Sequence, residues 1–140
     1  VSDETEKLLA REAAQLEDTK RFNAERELAL LLAPEKWAEL KRAFSELCAE
    51  ISAHTHSFEF ECEESGHRFQ VNKVVRGTAL PAATFTFEPR IPAIRYEIGE
   101  KGSGVITFAV SGQSVFFTIG RSGFVLRQFV GDTLMRVMKA

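Results

Sequence analysis

The chain has no apolar run approaching the roughly 18–20 residues that a membrane span needs, and its acidic opening, Ser2-Asp3-Glu4-Thr5-Glu6, carries no signal-peptide pattern. No membrane association is expected, and the expected home is the cytoplasm. Cysteine is scarce. Cys48 and Cys62 are the only two, too few for a disulfide framework and not spaced as a CxxC pair. Both are expected to be reduced, small buried hydrophobes. Aromatic residues with a polar handle are almost missing: one Trp37 and one Tyr96 stand against 12 Phe. Phenylalanine offers only apolar surface, so these rings are expected in a core. Proline is limited to 4 residues, and neither an internal repeat nor a low-complexity stretch is present.

Catalytic signatures are absent as well. There is no GxSxG elbow, no HExxH, no GxGxxG and no GxxxxGK[ST]. Gly102-Ser103-Gly104 joins two expected strands. Gly120-Arg121-Ser122-Gly123 precedes an expected helix, where it reads as a turn with Ser122 as N-cap or as an anion cradle using Arg121. His54 and His56 could share one side of an extended segment, with Cys62 or His67 as further metal ligands, but the spacing of a zinc site is lacking. Glu59, Glu61 and Glu63 alternate along one segment and read as the wet face of a strand, not as an acid–base pair across a cleft. No catalytic, cofactor-binding or metal-ligating residue is assigned, no cofactor is expected, and an enzyme is the less favoured reading.

What is present is an uneven charge distribution and clear periodicity. The net charge is −2. Residues 1–56 hold 8 basic and 12 acidic side chains, whereas residues 65–140 hold 10 basic and 4 acidic. The basic surplus is dilute and shares its surface with glutamates, so no nucleic acid is expected.

Residues 3–33 read as helix, either one or two, with Asn23 an available N-cap for a second. Leu9, Ala13 and Leu16 form a short apolar stripe, and Leu28 with Leu30–Leu32 forms another apolar set. Pro34 and Glu35 suit the start of a further helix. Trp37, Leu40, Phe44, Leu47 and Ile51 then recur at 3,4,3,4 spacing, the clearest amphipathic pattern in the chain. From Ser57 onward, period-two alternation interrupted by turn residues predicts strands. Phe58, Phe60 and Cys62 lie on one face, followed by Phe69, Val71 and Val75, by Phe85 and Phe87 within Ala83–Glu88, by Ile94, Tyr96 and Ile98, by Ile106, Phe108 and Val110, and by Val115–Ile119. The last is apolar on both faces and is expected to be central or covered twice. Leu126, Val130, Leu134 and Val137 share one side of a closing helix; a seventh strand reaching Phe129 is the alternative.

The expected fold class is therefore α+β: two N-terminal helices, a six-stranded antiparallel meander sheet and a C-terminal helix, with helices covering one sheet face. Residues 1–140 form one domain, divided into an N-terminal helical arm (1–33) and a helix–sheet–helix core (34–140). The element order is similar to that of helix-grip folds, which hold apolar ligands; those folds open with a strand and close with a longer helix. The functional expectation is a non-enzymatic interaction module that self-associates, as a homodimer, or docks a protein partner through its N-terminal helix. Leu9, Ala13, Leu16, Leu28 and Leu31 are the candidate interface. The alternative is a carrier of a small apolar ligand between sheet and helices.

Overall fold

A computed structural model describes residues 2–100 and 102–139; Val1, Ala140 and Lys101, which directly precedes the Gly102-Ser103-Gly104 connection read from the sequence, lie outside the described residues. The elements run α1 (Asp3–His54), β1 (Glu59–Ser65), β2 (Arg68–Val75), β3 (Thr78–Glu88), β4 (Ala93–Ile98), β5 (Gly102–Ser111), β6 (Ser114–Ile119), β7 (Ser122–Gly123) and α2 (Leu126–Met138). The seven strands lie in sequence order in one antiparallel sheet.

The expected two N-terminal helices are one helix of 52 residues, about 78 Å long at 1.5 Å per residue. Its start is capped: the Ser2 hydroxyl accepts from the Thr5 N–H at 3.2 Å, and Asp3, Glu4 and Glu6 fill the positive first turn. Neither Asn23 nor Pro34 breaks it. Proline removes the N–H that would bond to the Leu30 carbonyl, at a cost near 3 kcal/mol in a helix interior. That cost is met by packing on both sides of it: Ala29, Ala33, Trp37, Leu40, Phe44 and Cys48 are buried along one continuous face, while Pro34 itself is exposed on another.

That face docks on the sheet. Phe44 and Leu40 are fully buried among Phe69, Val71, Phe85, Ile94 and Ile106 of the inner sheet face and Val130 and Leu134 of α2. Trp37 stacks on Phe87 with centroids 5.6 Å apart. Polar ties hold the seam between α1 and β1, where Lys41 pairs with Glu64 and the Phe60 N–H donates to Ser52 Oγ at 2.9 Å. Both helices cover this one face.

The strand count is also corrected, from six to seven. After a left-handed Gly120 (φ 63°) the chain turns back, and Ser122 and Gly123 pair with Ile119 and Thr118 before α2 begins. Ser122 is therefore in a strand and is not the cap of α2, whose N-cap is Val125 without a side-chain hydrogen bond. The expected strand Ala83–Glu88 is longer than its alternation suggests and begins at Thr78. A tight turn at Arg76-Gly77, both at positive φ, lets β3 begin at Thr78, and a register shift at Val71/Asn72 accommodates Pro81. The strand β6 is penultimate, not central: Val115 and Phe117 face the core, and Phe116 is exposed on the uncovered side.

Apart from Phe116 and Val105, the uncovered side is mostly polar. Glu59, Glu61 and Glu63 are exposed on β1, Arg68, Gln70 and Asn72 form a hydrogen-bonded row along β2, and Glu88 pairs with Arg95 at 3.3 Å. Thr107 and Thr118 share a 2.7 Å hydrogen bond across β5 and β6.

Candidate interaction surface

The first half of α1 leaves the domain. Every residue from Ser2 to Glu27 is exposed; those from Asp3 onward span about 37 Å of helix without a core beneath them. Helices owe most of their stability in water to a packed apolar face. This one instead exposes Leu8, Leu9, Leu16 and Phe22, the last at 64% of its full surface, and at its junction with the core Leu31 at 73%.

A helix turns about 100° per residue, which sorts these side chains by direction. Of the sequence-based interface set, Leu9, Ala13, Leu16 and Leu31 share one line along the helix, directed away from the sheet. Leu28 lies off that line and is half-buried. Leu8 and Phe22 were missed by the sequence reading. They continue the direction of Ala29, Ala33 and Trp37, outward past the end of the sheet. The signal for Phe22 was available: it stands seven residues before Ala29 and fourteen before Lys36, next to Trp37.

The remaining candidates do not assemble. His54 ends α1, His56 lies in the following connection, and His67 sits in the β1–β2 turn with its ring edge-on to Phe87. Among the described residues no group of three His, Cys, Asp or Glu side chains is arranged to hold a metal ion. The glutamates of β1 line its outer face in a row.

Cys48 and Cys62 are neighbours across the α1–β1 seam, both as free thiols. The Cys48 thiol donates to Cys62 and is buried, and both effects push its pKa up. Cys62 is only half-buried. The hydrogen bond from Cys48 lowers its pKa, burial opposes that, and a hydrogen bond from Ser45 adds to the lowering.

Between the sheet and helices the core is filled by aromatic and branched side chains. A recess of about 810 Å³ opens at one edge, where Leu80, Pro81, Ile98 and Val137 meet Lys73 and Arg136. No described helix is long and apolar enough to cross a membrane. Compared with protein-family models, with curated proteins and with solved structures, the chain has no match.

Proposed function

We propose that the chain is a non-enzymatic interaction module that self-associates through the N-terminal half of α1. The observation that carries this is the exposed arm, a capped helix of some seven turns that rests on no core and displays large apolar side chains. Isolated helices are marginal in water, and charge pairs along the arm add only about 0.2–0.5 kcal/mol each. A second helix laid on the stripe supplies the missing apolar face. The stripe is short, so the association is reversible and concentration-dependent.

Light scattering across a concentration series tests this. The full chain should reach twice its own mass, and Leu16→Glu should return it to the single-chain mass without lowering the unfolding midpoint of the core. A single-chain mass at the highest attainable concentration would sink the proposal.

A second reading, carriage of a small apolar ligand, rests on the edge recess, where apolar walls adjoin two cations. A fluorescent fatty acid titrated against the protein checks it. Saturable binding lost in Arg136→Glu supports carriage, and an unchanged signal removes it.

A further inference from the structure

We infer that the self-association proposed above, on which this inference rests, is antiparallel and held in one register by Lys20 of each chain against Glu27 of the other. The line of α1 directed away from the sheet carries Leu9, Ala13, Leu16, Lys20, Glu27, Leu31, Pro34 and Ala38, at the spacings of a helix–helix seam. It lies about 120° around the helix from the buried face. The line stays accessible beyond the arm: Leu31 and Pro34 are exposed and Ala38 is half-exposed where α1 already crosses the sheet. A partner helix can therefore run along both halves.

The line is symmetric in spacing about the midpoint between Asn23 and Ala24. Inverting one helix on another about that midpoint sets Leu16 against Leu31, Ala13 against Pro34 and Leu9 against Ala38. It also sets Lys20 against Glu27, and by two-fold symmetry each pairing occurs twice. Apolar meets apolar or cation meets anion at each of these four pairings. A parallel pairing sets Lys20 against Lys20 and Glu27 against Glu27, which is repulsive at both positions. Among the described residues neither Lys20 nor Glu27 makes an ion pair within its own chain, so both charges are available. The occupant that fits this face is a second copy of the chain, inverted, overlapping over residues 9–38 for about 45 Å.

Charge exchange tests the register on the full chain. Lys20→Glu should weaken dimerisation about tenfold, because two attractive contacts become repulsive, and Lys20→Glu combined with Glu27→Lys should restore it. In a parallel pair the single change only exchanges one like-charge contact for another and leaves the affinity alone. A zero-length carbodiimide cross-link on a mixture of ordinary and nitrogen-15-labelled chains should join Lys20 of one to Glu27 of the other. A monomer at every concentration overturns the self-association itself. A dimer indifferent to Lys20→Glu, without that mixed-isotope cross-link, overturns the antiparallel register while self-association stands.

Discussion

The ring of Phe44 in α1 lies 4.8 Å from that of Phe85 in β3, tilted by 44°, and this pair sits at the centre of the contact between helix and sheet. Phe69 and Phe129 approach the same ring at 6.3 Å, so one side chain joins α1, two strands and α2. Phe44 is fully buried. Phe44→Ala should lower stability by about 3–5 kcal/mol, the sum of lost transfer energy and an unfilled cavity. A denaturant titration that leaves the midpoint unchanged would refute the docking.

Pro34 should be replaceable to advantage. Its position leaves the Leu30 carbonyl without its helical donor, yet the helix is continuous through it. Pro34→Ala restores that bond and should stabilise the chain by about 1–3 kcal/mol. The unfolding midpoint is the measurement, and a fall would show that the proline ring makes a contact that alanine cannot replace.

Two glycines should respond in opposite directions. A Cβ on Gly104 would stand 2.5 Å from the hydroxyl oxygen of Tyr96, whose ring lies against it, whereas a Cβ on Gly131 in α2 would meet nothing. Gly104→Ala should cost about 1–3 kcal/mol by overpacking, and Gly131→Ala should gain about 1 kcal/mol from helix propensity. Matching shifts in the same direction would contradict this arrangement of Tyr96.

The thiol pair should label asymmetrically. Cys62 has the lowered pKa and partial exposure, while Cys48 holds its proton and is buried. Thiolates are the reactive species, so iodoacetamide should modify Cys62 first in the folded protein. The pH at which its rate is half-maximal should lie below that of an unfolded thiol, which titrates near 8.5. Peptide mapping after brief labelling reads this directly. Equal modification of both cysteines, or a half-maximum above the unfolded value, would count against the hydrogen-bonded pair.

Much of the core was legible because its signals are periodic. Trp37, Leu40 and Phe44 follow a helical repeat and are buried as that repeat requires; Phe85, Phe87, Ile94 and Ile98 follow a strand repeat and face inward. Continuity across Pro34 was not legible, since local propensity argues for a break and only the buried run from Ala29 to Cys48 opposes it. The two-residue β7 is too short to carry a period at all. Phe116 shows a further limit: an apolar side chain in an alternating strand suggests cover on both faces, but here the outer side has none. In the arm, Leu9, Ala13 and Leu16 stand out by spacing alone, while Leu8 and Phe22 do not, because charged residues separate them from the core pattern they continue.

The two margins of the sheet bear on how this chain avoids uncontrolled aggregation. An open antiparallel sheet offers unpaired backbone at each end, a template on which further strands can add without limit. Here one margin is the two-residue β7, cut short by the entry into α2. The other is β1, whose Glu59, Glu61 and Glu63 would be brought beside their own counterparts if two such margins met. At the first end β7 covers only Thr118 and Ile119 of β6, and the other end repels its own kind. Fibril-like growth is thereby discouraged at the β1 end, even though apolar side chains stand in solvent elsewhere on the same molecule.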